Sequence, residues 1–426
     1  MVLNQERFIL NQMKTNTNKF IKVIQTKKYK NINLYLYFSI ENNNKMVEKI
    51  DLLCKIIGDK SNLYNSKTEM TKQKDMLYGI NIGLSNKIHI GMTTLKIHYS
   101  FINPKYVDTT IDEYNNFIKE TLYNSIIDEN SLSEAKEIVK AEVLRKYDKP
   151  ASLARKLFIE NIAKENSEYK IFCYDKEYLS NIDSITVDEL KQAYKFIINK
   201  AMLNVYICGD LDDESIFKLS SFRFVDRKEI YTKNIKLKKL KHKSASIKKD
   251  IGQSYLLTGY LTPYSKKHKD YFAWFVGNSV LSATPTSLLF TTIREKMSLC
   301  YSISISDNKS SGLTTVFTSI DGKNKKAVLD EIDNQIDNMI SGNYDDEVLN
   351  STKSLLVNSL LGLHDDLSGL VSYYFESFIS EFNYSIEEYI DLINKVGKKD
   401  LSRVFKKYEK YYDFILLGKW YVKKYE

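Results

Sequence analysis

Two stretches of this chain, 211 positions apart, read in the same way. The first, IDSITVDELKQAYKFIINKAMLNVYICGD, ends at Asp210. The second, INKVGKKDLSRVFKKYEKYYDFILLGK, ends at Lys419. In each, an amphipathic helix leads through a short connection to an apolar strand and then to a glycine, Gly209 or Gly418. Leu190 pairs with Leu401 and Tyr194 with Phe405. Self-similarity at a fixed offset is the signature of a duplicated unit, and this offset is half of the 426-residue chain. The chain therefore reads as two related halves, each long enough to bury its own core.

The junction falls where the charge lies. Residues 223–250 hold eleven Lys/Arg against three Asp/Glu, nearly the whole formal excess of +9. A basic stripe can bind nucleic acid, but this one has few aromatics and no recognition motif, so it reads as a solvated connector. The expected domains are 1–220, a linker over 221–250, and 251–426. No stretch approaches the roughly 18 apolar residues of a membrane span, and the N-terminus MVLNQERFILNQMK has no apolar signal core. The four cysteines are scattered without a CxxC, so neither a disulfide framework nor a cysteine metal site is expected. Cys54, Cys208 and Cys300 sit in apolar runs and read as small buried hydrophobes. A reducing, cytoplasmic setting follows.

Along the first half, residues 31–40 (NINLYLYFSI) alternate as a strand, and 46–57 (MVEKIDLLCKII) follow with helical spacing up to Gly58. Residues 88–101 read as one or two strands. If they form one, His89 and His98, nine apart, point to opposite faces. Helices are expected over 111–127 and 131–146, over 152–163 capped by Ser152, and over 187–199 with a Thr186/Glu189 capping box. In the second half, strands are expected at 253–260, 300–306 and 313–320. Residues 288–296 read as helical, and further helices follow from 325 onward. Asp345, Asp346 and Glu347 read as a first-turn carboxylate set, and Asp365 and Asp366 beside His364 as a helix cap, rather than as metal clusters. Gly83 and Gly91 suit turns between strands. Strands followed by runs of helices indicate an α+β fold, each half a mostly antiparallel sheet with helices packed on one face.

The words LFTTIREKMSLCY (289–301), SIDGKN and ISGNYDDEV resemble the C-terminal half of insulinase-like (inverzincin, pitrilysin-type) peptidases. EAKEIVKAEVLRKYDKPASLARKLFIENIAKENSEYK (134–170) is similar to a narrower, YfmF-type subgroup associated with 5-aminopentanol modification of elongation factor P. The resemblance implies two halves facing each other across a chamber. In active members, H-x-x-E-H on one helix supplies two zinc ligands and a general base, with a later Glu as third ligand. Here the five histidines include no pair four apart. Counted back from Gly58, the ligand slots fall on Lys49 and Leu53 and the base slot on Leu52; Glu142 lies near the third-ligand position. A cation and two aliphatics can neither hold zinc nor activate water, so no cofactor is expected on this chain.

What the resemblance leaves is a pair offered from the second half, Arg294 and Tyr301. Arg presents a planar fork of donors to substrate carbonyls, and a Tyr hydroxyl can donate to a developing oxyanion. The competing reading has Arg294 paired with Glu295 or a nearby acid and Tyr301 packed as one strand aromatic among 31 tyrosines. The expectation is a non-catalytic subunit of a heterodimeric zinc peptidase. Its partner would carry H-x-x-E-H and the zinc, its substrate would be a peptide, and it would bind no nucleic acid. The alternative is a metal-free chamber that binds a peptide or protein, for example in maturation or export of a small secreted peptide.

Overall fold

The structure, a computed structural model, describes residues 10–13, 20–43, 45–222 and 228–418. Residues 1–9 of the N-terminal stretch and 223–227 of the basic stretch lie outside them. The chain divides into two compact units: Met1–Val143 with Tyr174–Thr232, and Leu144–Cys173 with Lys233–Glu426.

In the first unit, β1 (Leu10–Met13), β2 (Phe20–Gln25), β3 (Asn31–Glu41), β4 (Asn81–His89), β5 (Met92–Ile102) and β6 (Met202–Gly209) form one sheet. Its order is β1-β2-β6-β3-β5-β4. β2 and β6 run parallel and every other neighbour pair is antiparallel. In the second unit, β7 (Ser244–Lys248), β8 (Ser254–Leu261), β9 (Cys300–Asn308), β10 (Leu313–Ile320) and β11 (Glu409–Leu417) form the order β7-β11-β8-β10-β9. Here β7 and β11 are the parallel pair. With β1 set aside, β2 to β6 map onto β7 to β11 in chain order, neighbour for neighbour and direction for direction. The duplication read in the sequence is thus a duplicated sheet.

The two repeated endings take the expected form. Thr186 and Glu189 form a capping box at the start of helix Val187–Lys200, which runs into β6. Helix Lys398–Phe405 runs into β11, and the Gly397 N–H donates to the Asp400 carboxylate at 2.9 Å. Leu190, Leu401 and Phe405 are fully buried, which fixes these helices by their apolar face. Each such side chain contributes about 1.5–3 kcal/mol on burial.

Several expectations change. The basic stretch does not remain connector throughout, because Ser244–Lys248 pairs with β11 as β7, the counterpart of β2. The third helix starts at Pro150 rather than being capped by Ser152, since proline's fixed φ and missing N–H suit the first helical position. That helix, Pro150–Ala163, packs with the second sheet: Phe158 meets Tyr412 at 5.6 Å between ring centroids, and Asn166 beyond it donates to the Tyr411 hydroxyl at 3.2 Å. His89 and His98 do not share a strand. The chain turns at Ile90-Gly91, where Gly91 has φ +90, so only Gly91 of the two expected turn glycines makes a turn. Gly83 lies inside β4 opposite His98. Cys173, Cys208 and Cys300 are buried, whereas Cys54 is half-exposed; all four are free thiols. Asp366 stands at the N-cap of helix Leu367–Ile379 but makes no side-chain capping bond.

A second repeat appears only in three dimensions. In the first unit, the Thr93 hydroxyl donates to Asn86 Oδ1 (2.8 Å) and Asn86 Nδ2 donates to Asp51 Oδ1 (3.1 Å). The Tyr178 hydroxyl donates to Asp51 Oδ2 (2.7 Å). In the second unit, the Thr314 hydroxyl and Asn278 Nδ2 both donate to Asp307 Oδ1 (2.8 Å each). The Tyr408 hydroxyl donates to Asn278 Oδ1 (2.6 Å). Each set joins one helix of its unit, Met46–Ile56 or Tyr271–Ser282, to a strand hairpin, β4–β5 or β9–β10. The acid sits on the helix in one unit and on the strand in the other, and the amide occupies the remaining place.

Burial pushes the Asp51 carboxyl up to about 6, against the pull of the Tyr178 and Asn86 hydrogen bonds; Glu48 adds to the rise and Lys55 opposes it. A folded-state value raised above the ordinary one near 3.9 means that the folded chain holds this proton better than the unfolded chain. The stabilisation is complete below about pH 4 and is lost as pH rises through 6. Asp51→Asn, neutral throughout, removes that loss. Between pH 5 and 7.5 the unfolding free energy of the wild type should fall by about 1.5 kcal/mol more than that of the variant, as read from urea unfolding followed by circular dichroism.

Candidate functional site

Helix Met46–Ile56 carries Lys49, Leu52 and Leu53, the residues that the resemblance sets at the metal and base slots. It ends at Ile57 in extended geometry, followed by Gly58 in the left-handed region at φ +82. Leu52 and Leu53 are fully buried among the apolar residues of the unit, and Lys49 is half-buried. The neighbouring face is occupied by polar groups that already have partners. Asn181 donates to the buried Glu48 (2.8 Å), Tyr178 and Asn86 hold Asp51, and Lys55 pairs with Glu142 at 2.8 Å. The candidate third ligand is thus engaged by a lysine.

The histidines lie elsewhere. His98 stacks on Tyr35 (4.1 Å, 2° between planes) and meets Asn33 Oδ1 at 3.0 Å; burial, aided by Lys96, pushes it down to about 4, so the ring is neutral near pH 7. His268 Nδ1 accepts from the Asp270 N–H at 3.0 Å. Among the described residues no group of three or more His, Cys, Asp or Glu side chains is placed to hold a metal ion. The acids at the start of helix Asp346–Leu361 behave as expected of a solvated first turn, with Asp346 paired to Lys398 at 2.8 Å. Zinc does not fit the residues at the slots: two are aliphatic and buried, one is a cation, and Glu142 is paired with Lys55.

Arg294 and Tyr301 lie in a segment that departs from regular geometry three times in twelve residues. Phe290–Lys296, expected as ordinary helix, is a π-helical turn. Its widened loop is closed by Met297 N–H donating to the Thr292 carbonyl and Leu299 N–H donating to that of Ile293, both at 2.9 Å. Ser298 follows in the left-handed region at φ +52. A β-bulge then sets Ile320 opposite Cys300 but Ser319 opposite Ser302, which leaves Tyr301 as the extra residue. The Arg294 guanidinium lies 4.4 Å over the Phe290 ring and makes no ion pair among the described residues. Tyr301 is 73% exposed. The competing reading, a salt-bridged Arg and a packed Tyr, does not describe this segment.

Two features escaped the sequence reading. One is the pair of hydrogen-bonded sets; Asn86 with Asp307 and Thr93 with Thr314 are both 221 apart, so aligning the halves at the hairpins would have found them. The other is Arg155, which stands 3.7 Å over the Phe317 ring of the second sheet and which nothing in the sequence singles out.

With this geometry in hand, kinship can be read. Residues 184–356 match the family described as peptidase M16 inactive domain. A curated relative, "Probable inactive metalloprotease YmfF" of Bacillus subtilis (strain 168), is 22% identical over 409 residues, covering 93% of this chain and 95% of its own. The crystal structure of a conserved protein from Enterococcus faecalis V583 superimposes with a TM-score of 0.84 at 23% identity, covering 96% of this chain and 99% of that one. A protease from Helicobacter pylori gives 0.77 at 14% identity, covering 96% and 98%. At these identities the two structures show a shared fold.

Rebuilding the motif tests whether only the ligands are missing. The triple variant Lys49→His, Leu52→Glu, Leu53→His should not acquire stoichiometric zinc by elemental analysis. It should instead lose several kcal/mol of stability in urea, because Leu52→Glu buries a carboxylate among aliphatic side chains.

Proposed function

We propose that this chain, an insulinase-like (M16) protein by its match over residues 184–356, is a non-catalytic peptidase-like subunit. It offers Arg294 and Tyr301 to a peptide held at the metal site of a separate, related chain. A single contrast carries the reading. The slots of the metal helix are filled by Lys49, Leu52 and Leu53, while the segment of Arg294 and Tyr301 keeps a π-turn, a left-handed serine and a bulge. A left-handed serine costs on the order of 1–3 kcal/mol, and such backbone, π-turns and bulges are all frequent at functional sites. The word "inactive" in the name of the Bacillus relative agrees with this division of labour.

In the proposed pair, the Arg294 fork binds substrate carbonyls and the Tyr301 hydroxyl donates to the oxygen that gains charge during hydrolysis, a contribution of roughly 3 kcal/mol per donor. The partner would carry H-x-x-E-H. The resemblance of residues 134–170 to YfmF-type proteins extends the proposal to support of elongation factor P lysine modification, an errand in the cytoplasm. Four free thiols suit that compartment. Among the described residues no helix is long and apolar enough to cross a membrane.

Co-purification with a zinc-bearing relative followed by a peptide-cleavage assay tests the shared site. Arg294→Ala and Tyr301→Phe should each lower kcat/KM of the complex by about 100-fold with subunit association intact; full activity in both variants refutes it. For the wider role, mass spectrometry of elongation factor P from a deletion strain should show an altered lysine modification.

A further inference from the structure

The second unit holds another arginine without a partner acid among the described residues. Arg155 projects from helix Pro150–Ala163, and its guanidinium sits 3.7 Å above Phe317 of β10. Phe317 stacks on Tyr255 of β8, with 5.9 Å between centroids and 22° between planes. On its other side Phe317 lies opposite Ser304 of β9, the outermost strand. One rung along, Ser319 lies opposite Ser302, their hydroxyls 2.9 Å apart. Ser302, Ser304 and Ser306 are all exposed and alternate with Ile303 and Ile305, so three hydroxyls line one side of this edge strand.

Arg155 makes no ion pair among the described residues. Glu160, on the same helix, is paired with Lys156 at 2.8 Å. Partial burial pulls the Arg155 guanidinium below its ordinary range. Arg155 is still exposed to solvent, so its guanidinium, oriented on the Phe317 ring and with no counter-charge among the described residues, keeps its donors free for an acceptor, and a carboxylate satisfies two of them at once. The serine row beside it carries no acid to repel such a group. The two-residue spacing of its hydroxyls, roughly 6.5–7 Å, equals that of alternate side chains in an extended chain.

We propose that the peptide bound by this subunit is acidic, and that Arg155 on its Phe317 platform anchors a peptide carboxylate beside the serine row of β9. This rests on the peptide-presenting reading above and adds the chemical class of what is presented. The probe is a pair of acetylated and amidated decapeptide pools, randomised over uncharged residues, with one central position fixed as Glu in one pool and Gln in the other. Binding to the full-length chain is read by fluorescence anisotropy at low salt. The wild type should bind the Glu pool at least 10-fold more tightly. Arg155→Gln should bring the two pools within 2-fold while leaving Gln-pool affinity and the unfolding midpoint unchanged. Arg155→Lys, a cation without the fork, should keep an intermediate preference. Equal binding of both pools by the wild type, or an undiminished preference in Arg155→Gln, overturns the inference and leaves the peptide-presenting reading standing. No binding of either pool likewise overturns the inference, and the cleavage assay of the complex then decides the peptide-presenting reading separately.

Discussion

Each unit of this protein ties one helix to a strand hairpin through a part-buried hydrogen-bond set of one aspartate, one asparagine, one threonine and one tyrosine. A carboxylate shielded from water must be surrounded by donors, and these side chains supply them from a helix, a hairpin and a third element. Once Asp51 is held by Asn86 and Tyr178, the rotation of helix Met46–Ile56 is fixed. Leu52 and Leu53 then point into the apolar interior. The second half solves the same problem with the acid moved to the strand, as Asp307, and the amide to the helix, as Asn278. The exchange preserves the count: in both arrangements the acid accepts one amide hydrogen and one hydroxyl hydrogen, and the amide oxygen accepts a second hydroxyl hydrogen. Positions differ and the chemistry is conserved between halves, as expected when a duplicated unit drifts under the constraint that no buried donor goes unmatched.

That constraint also separates what the two halves offer. In the first, helix Met46–Ile56 is closed by packing and by ion pairs such as Lys55–Glu142. In the second, helix Tyr271–Ser282 is held through Asn278, yet the chain leaving it does not settle into regular structure. The π-turn, Ser298 and the bulge at Tyr301 lie side by side, and they leave Arg294 and Tyr301 in solvent instead of in the core. Two arginines of this unit, Arg294 and Arg155, rest on phenylalanine faces rather than on carboxylates. A cation on an aromatic ring is oriented without being neutralised, so its donors remain available to a ligand.

The sequence by itself determined the α+β duplication, the capped helix-to-strand endings and the lack of any histidine pair four residues apart. These depend on periodicity, on local capping chemistry and on the identity of residues at fixed helical spacing, all of which are local. It also singled out Arg294 and Tyr301, through resemblance rather than through pattern. Only the tertiary structure decided that residues 244–248 join a sheet, that helix Pro150–Ala163 packs with the second unit, and that His89 and His98 lie on different strands. The same holds for the partners of Asp51, which are 35 and 127 positions away, and for the placement of Arg155 over Phe317. Each of these follows from which surfaces meet when the chain closes on itself, and a residue's own neighbours in sequence carry no record of that meeting.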